Sequence, residues 1–376
     1  MTVEIHGFCD ERFAAIKTAM QANFDEKLDQ GASVGVILRG KRVVELWGGW
    51  RDLRRTRPWK RDTVVQVFST SKVLLALCIL MLVDRGQVDL DAPVARYWPA
   101  FGQGGKEKVT VREAMTHCAG VPGFRPPVAF EDLHDWEGIT ARVAVMPHWF
   151  GGETTICYHP VTWGLIMAMV LQRVDGRDID QFVREEVAGR LGADYQLRLT
   201  AEADIARVAD PLFLPPEPRG LPPIGEEIMA SVGLGPWMSL ERLSALVPGS
   251  NAYTNGVGVA EVCSVFAGGG AVNGVRYIAE AVAREATTTQ AEGIDAVFGP
   301  IRLGLALGLD HDGYPAPTPS CAHWGGYGGS WALFDPVTQV AFGFTPNLLE
   351  GGSPRVAPRL VRFRHALAGI LPTLTG

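Results

Sequence analysis

Ser69 and Lys72 stand three positions apart in Val67-Phe68-Ser69-Thr70-Ser71-Lys72-Val73-Leu74-Leu75, where an apolar helical run begins. Three residues is close to one helical turn, so hydroxyl and amine share a face. An amine so placed can take the serine's proton, which makes Ser69 a candidate nucleophile that needs no histidine. The pair alone is not diagnostic, because average residue usage yields about one chance S-x-x-K in a chain of this length. The alternative is a first-turn lysine beside a helix-starting serine. Tyr158, in Cys157-Tyr158-His159-Pro160 ahead of a second apolar run, could project into the same cleft, or pack its ring at a boundary with a wet hydroxyl. The run His323-Trp324-Gly325-Gly326-Tyr327-Gly328-Gly329-Ser330 places four glycines in five positions. Such a run lets backbone approach a ligand closely and exposes N–H groups; otherwise it is a flexible loop or bulge. It leads into a strand and not a helix, which excludes phosphate cradling. Gly31-Ala32-Ser33-Val34-Gly35 matches G-x-S-x-G, but that motif needs a strand-to-helix turn, and here a strand follows. Ser33 is therefore read as structural.

The elements that must position these residues follow from periodicity. Phe13 to Leu28 is amphipathic at helical spacing. Val34–Leu38 and Val43–Trp47, joined by Arg39-Gly40-Lys41-Arg42, read as a hairpin. Thr63 to Phe68 is extended, and a helix from Ser69 to about Arg85 stops at Gly86. Thr110-Val111-Arg112-Glu113 is a capping box opening a short helix. Further helices are expected over His159–Asp175, Ile179–Leu191, Gly256–Gly268 and about Val356–Leu371, with strands at Trp331–Phe334 and Gln339–Thr345. Val121–Glu153 and Pro211–Pro236, rich in Pro, Gly and aromatics, are expected to be irregular. Strands at both ends and helices between imply an α+β fold. An antiparallel sheet flanked by the first and last helices (residues 1–72 and 240–376) would carry an inserted, mostly helical domain (73–239). Ser69 falls near the junction, where clefts form.

Bulk properties narrow the chemistry. The 376 residues are enough for a sizeable core, 47% hydrophobic and 20% charged residues describe a globular chain, and a net charge of −6 provides no basic field for nucleic acid. The start Met1-Thr2-Val3-Glu4-Ile5-His6 has no basic leader, and Val73–Val83 is too short to span a bilayer, so a cytoplasmic location is expected. Six cysteines without C-x-x-C spacing read as reduced thiols, and the eight histidines include no H-E-x-x-H, so neither metal nor cofactor is expected.

Taken in order, the segments resemble the class C β-lactamase and penicillin-recognising superfamily, most closely its family VIII carboxylesterases. Ser69-Thr70-Ser71-Lys72 resembles the S-x-x-K motif, and Leu82 to Val94 the helix end and acidic turn that follow it. Thr116-His117-Cys118-Ala119-Gly120-Val121-Pro122 resembles T-H-x-x-G-x-P, and Tyr158-His159-Pro160-Val161-Thr162-Trp163-Gly164 the esterase Y-H-x-x-T-x-G. Asn255-Gly256 before a helix fits as well, and Trp324-Gly325-Gly326 occupies the place of the K-T-G triplet. The resemblance implies a β-lactamase/transpeptidase-like fold with Ser69 as acylated nucleophile and Lys72 and Tyr158 sharing the general-base task. It also implies an oxyanion hole from the N–H groups of Ser69 and Tyr327. A register shifted by one would put His323 in the lysine slot and Gly326 in the hole.

The departures carry information. Pro160 stands where lactamases usually have an amide side chain, and Trp324 where they have the lysine that helps hold a carboxylate. Both changes favour uncharged, short-chain esters as the small-molecule substrate, with β-lactamase, D-peptidase or acyltransferase activity as alternatives at the same site. Trp324, Gly325, Gly326 and His323 are expected to border the substrate. Phe124, Trp136, Trp149 and Phe150 are expected to line its pocket, although core packing is the commoner fate of such residues. Oligomeric state is not legible.

Overall fold

The computed structural model describes residues 2–214, 220–233, 240–350 and 357–375. Nine strands form one antiparallel sheet. Its members are β1 (Ile5–Cys9), β2 (Gly31–Leu38), β3 (Lys41–Gly49), β4 (Ala291–Asp295), β5 (Gly299–Leu303), β6 (Gly308–Leu309), β7 (Ala322–Gly325), β8 (Trp331–Asp335) and β9 (Val340–Pro346). The spatial order is β1-β3-β2-β9-β8-β7-β6-β5-β4. The N-terminal hairpin thus joins the C-terminal strands directly, with Val34 opposite Phe344 and Val36 opposite Phe342.

Period-two alternation sorts the two faces. Val34, Val36, Leu333, Phe342 and Phe344 face a core shared with Phe13, Ile16 and Met20 near and on α1 (Ala14–Asp25) and with Phe363 and Leu367 of the C-terminal helix Pro358–Ile370. The opposite face carries the helix Gly256–Ala267. That helix sits flush because Gly35 and Gly343 have no side chains. A Cβ on Gly35 would meet Val257 Cα at 2.5 Å, and one on Gly343 would lie 2.2 Å from Gly256 O.

Two long apolar helices fall, in sequence, between the N-terminal and C-terminal strands: α2 (Lys72–Asp84), in which Lys72 through Leu82 are all buried, and α3 (Thr162–Asp175). Glycines end both: Gly86, the expected stop, has φ +68°, and Gly176 has φ +90°. The capping box at Thr110 forms as expected, and 179–191 is helical throughout with a π-helical centre at Val183–Ala188.

Several expectations need correction. Val121–Glu153 is not irregular throughout, because Asp135 caps a helix over Trp136–Val145. Within Pro211–Pro236 a helix spans Pro223–Ala230, with proline tolerated at its start where no intrahelical donor is needed; residues 215–219 and 234–236 of that stretch lie outside the described residues, as does Val356. Where two strands were expected in the last third, six of the nine strands of the large sheet come from it. The segment carrying Ser69 differs in detail: Phe68–Ser71 is a 3₁₀ turn, and the α-helix begins at Lys72. Among the described residues, no helix is long and apolar enough to cross a membrane.

Candidate active site

The short strand Val65–Gln66, paired with Tyr253–Thr254, delivers the chain to Ser69. Phe68 then takes φ +47°, a left-handed conformation disfavoured for a side chain of its size, and the path turns from strand to 3₁₀ turn at the residue before the hydroxyl. The turn is pinned from two sides. Val67 O accepts the Ser330 hydroxyl at 2.8 Å, and Thr70 Oγ1 lies 2.8 Å from the same Ser330 Oγ. The glycine run closes against it: a Cβ on Gly326 would sit 2.2 Å from Val67 O, so only glycine fits.

Three side chains converge at this point. Lys72 Nζ is 3.2 Å from Ser69 Oγ, and Tyr158 Oη is 2.6 Å from it. Lys72 is 0% exposed. Its amine also donates to Pro160 O at 2.8 Å and Gly249 O at 2.7 Å. Burial pushes its pKa well below the ordinary 10.5. A neutral amine has two N–H donors for the two carbonyls and one lone pair for the proton of Ser69, so this geometry suits a base. Tyr158 is 5% exposed. Its ring is packed by Phe298 at 4.6 Å, His117 at 4.9 Å and Trp324 at 6.0 Å.

The two buried histidines of the site have defined tautomers. His159 Nε2 accepts the Val121 N–H at 3.2 Å, so Nδ1 carries the proton and donates it to Cys157 O. His117 Nδ1 accepts the His159 N–H at 3.3 Å, which leaves the proton of the neutral ring on Nε2. Burial lowers both pKa values, that of His159 to about 3. Both are neutral packing groups behind Tyr158.

Ser69 and Tyr158 open onto a cavity of about 420 Å³, which Phe124, His323, Trp324, Gly325, Gly326 and Tyr327 also line. On β7, Trp324 faces Tyr158. His323 alternates to the other side, where its ring is 4.5 Å from Tyr314, although it still borders the cavity. Of the two, Trp324 is the residue whose ring lies beside the tyrosine. Gly326 N–H is bonded to Ser330 O at 2.9 Å, which argues against Gly326 in an oxyanion hole.

Three expected pocket aromatics lie elsewhere. Trp136 Nε1 donates to Gln172 of α3, so its ring is used in helix packing. Trp149 stacks under the Arg125 guanidinium, 3.6 Å from the ring centroid. Phe150 packs edge-on against His148 at 6.0 Å. None borders the cavity. Apolar wall is supplied instead by Phe130, Leu133, Ile228, Val232 and Val247, with Ile228 on the helix the sequence did not reveal and Val232 just after it. Sequence reasoning also missed Asp295 and Phe298 at the β4–β5 turn, and the carbonyls of Pro160 and Gly249 that hold Lys72. No motif marks a carbonyl, and the turn has no signature of its own.

Residues 20–366 match the Beta-lactamase family. The chain is 31% identical to the esterase/beta-lactamase LipL of Mycobacterium tuberculosis over 365 residues, 92% of this chain and 83% of that protein. Among solved structures it resembles a penicillin-binding protein homolog from Caulobacter crescentus, with TM-score 0.89, 32% identity, and 98% of this chain and 100% of that one covered. A family VIII carboxylesterase matches equally well, with TM-score 0.89, 33% identity, and 96% and 100% covered. The chain therefore belongs to the beta-lactamase family, alongside its family VIII carboxylesterases, and is a serine hydrolase.

Proposed function

We propose that this enzyme is a carboxylesterase that hydrolyses uncharged, short-chain carboxylic esters through an acyl-enzyme on Ser69. The observation that carries the reading is the Ser69 hydroxyl, within hydrogen-bond reach of both Lys72 and Tyr158 at the edge of an apolar cavity. Neutral Lys72 takes the proton as Oγ attacks the ester carbonyl. The N–H groups of Ser69 and Tyr327 receive the oxyanion. Tyr158 delivers a proton to the departing alkoxide, and water then releases the acid by the same steps in reverse. A cavity of about 420 Å³ lies near the small end of the usual ligand-site range, which favours small esters. Trp324 carries no charge, and Pro160 no side-chain donor, for an anionic amide.

A second reading, cleavage of a β-lactam or D-peptide amide at the same serine, draws on one observation: Arg242 and Arg302 line the cavity. Arg302 is paired with Glu292 at 2.9 Å, which reduces its pull on a substrate carboxylate. The test is turnover of p-nitrophenyl acetate and butyrate beside nitrocefin, with an alcohol acceptor added in one arm to capture acyl transfer. Ester cleavage should dominate and vanish in Ser69→Ala. Nitrocefin rates matching the ester rates would favour the second reading.

A further inference from the structure

Three backbone N–H groups converge on one buried carboxylate at the foot of the catalytic tyrosine. Asp295 ends β4 and is 2% exposed. Its Oδ1 accepts from the N–H of Val297 and of Phe298, each at 2.8 Å. Its Oδ2 accepts from the N–H of Tyr158. The first two bonds close the turn between β4 and β5 and are what any aspartate-led turn makes. The third reaches across 137 positions of sequence and contributes nothing to the turn. Burying a carboxylate is unfavourable unless its oxygens are satisfied, and charge-assisted bonds to N–H groups are among the stronger ones available.

The peptides on either side of Tyr158 are bonded to His117, the Cys157 N–H to its carbonyl at 3.0 Å and the His159 N–H to its Nδ1 at 3.3 Å, and Asp295 holds the N–H between them. Residues 153–159 belong to no helix or strand, so no ladder fixes the height of its Cα above Ser69. Its hydroxyl nevertheless sits 2.6 Å from Ser69 Oγ. The carboxylate that holds its N–H also holds Phe298, whose ring backs the Tyr158 ring at 4.6 Å and lines the cavity. One anion thus ties the backbone of the tyrosine to the wall behind its ring.

We propose that Asp295 is a positioning residue for catalysis, acting through Tyr158. This rests on the reading that Ser69 is the nucleophile and Tyr158 its proton-transfer partner. Asp295→Asn keeps size and one acceptor but turns an NH₂ group toward a backbone N–H. A misplacement of about 1 Å can lower a rate by as much as about 10²-fold. The full chain should therefore lose about 10- to 100-fold in the rate at which a fluorophosphonate labels Ser69, and a similar factor in kcat on p-nitrophenyl acetate.

A merely structural role would lower activity regardless of what stands at position 158, so the deciding readout is the double-mutant cycle. In a Tyr158→Phe background, Asp295→Asn should change labelling by less than about threefold, because its effect is already lost. Losses that multiply independently would overturn the proposal. Asp295→Ser provides a second variant with a smaller acceptor, and failure of both to fold would make Asp295 a folding residue and overturn it as well. Equal labelling of Asp295→Asn and the unmodified chain would sink the positioning role alone. Absence of labelling in the unmodified chain would sink the nucleophile assignment and the positioning role with it.

Discussion

Two serines in this chain sit in hydrolase-like sequence, and their surroundings could hardly differ more. Ser33 lies on β2 in a G-x-S-x-G context and is 5% exposed. Its hydroxyl is shared between Thr345 Oγ1 at 2.8 Å and the Gly256 N–H at 2.9 Å, so it stitches the sheet to the helix beginning at Gly256. Neither partner is a base. Ser69 lies at a strained turn with a buried amine and a phenol on its oxygen and an apolar cavity in front. A serine becomes a nucleophile through the proton acceptor beside it and the space before it, and a short motif specifies neither.

The largest separation between the two serines comes from deleting each hydroxyl. Ser69→Ala should lower ester turnover by about 10⁴-fold or more, as removal of a nucleophile does elsewhere. Next come the groups that make Ser69 different. Lys72→Met should cost about 10³-fold in kcat and Tyr158→Phe about 10²-fold, within the range of general acid–base contributions. Steady-state kinetics on p-nitrophenyl butyrate measures both, and a Lys72→Met enzyme with full activity would remove the basis of the comparison.

The lysine also makes a pH prediction. Its folded pKa lies well below the ordinary 10.5, so the base form is present above that lowered value and activity should fall as pH drops through it. Between the lowered value and 10.5 the unfolded chain binds a proton that the folded chain does not, so stability rises with pH across that window. Lys72→Met should flatten this slope and be the more stable protein at its lower end. Denaturant titrations at several pH values test it, and a slope unchanged by the substitution would mean that Lys72 is charged in the fold.

Smaller effects sharpen the contrast. Trp324→Lys restores a cation beside Tyr158 and should raise the nitrocefin-to-ester ratio by about tenfold, the worth of one charge-assisted hydrogen bond. Ser33→Ala should leave turnover within about twofold yet destabilise the fold by about 1–3 kcal/mol, because the Gly256 N–H loses its acceptor in a buried position. Thermal unfolding beside kinetics reads both.

Much of the scaffold was legible because its signals are periodic or steric. Helices α2 and α3 announce themselves by apolar runs ended by left-handed glycines, and the β2–β3 hairpin by its turn. The edge of the sheet was not legible. In β4, Ile294 is 73% exposed and Asp295 is buried, the inverse of the pattern that identifies a strand, because Asp295 serves backbone N–H groups and not solvent. Helix 136–145 was hidden by the Pro- and Trp-rich composition around it. At the site, Ser69, Lys72, Tyr158 and Trp324 could be named because side-chain identity defines them. Trp136, Trp149 and Phe150 could not be placed, since an aromatic residue near a motif in sequence can equally stack on Arg125 or pack on α3. The carbonyls of Pro160 and Gly249 that hold Lys72 exist only once the chain is folded.

The comparison between the two serines, and the account as a whole, is tested most directly by trapping the acyl-enzyme. The full chain would be treated with p-nitrophenyl butyrate, quenched in acid during turnover, digested and mapped by mass spectrometry. A butyryl adduct on the peptide carrying Ser69, absent from Ser69→Ala and from the peptide carrying Ser33, is the expected result. Turnover with no adduct on Ser69, or an adduct that persists in Ser69→Ala, would contradict it.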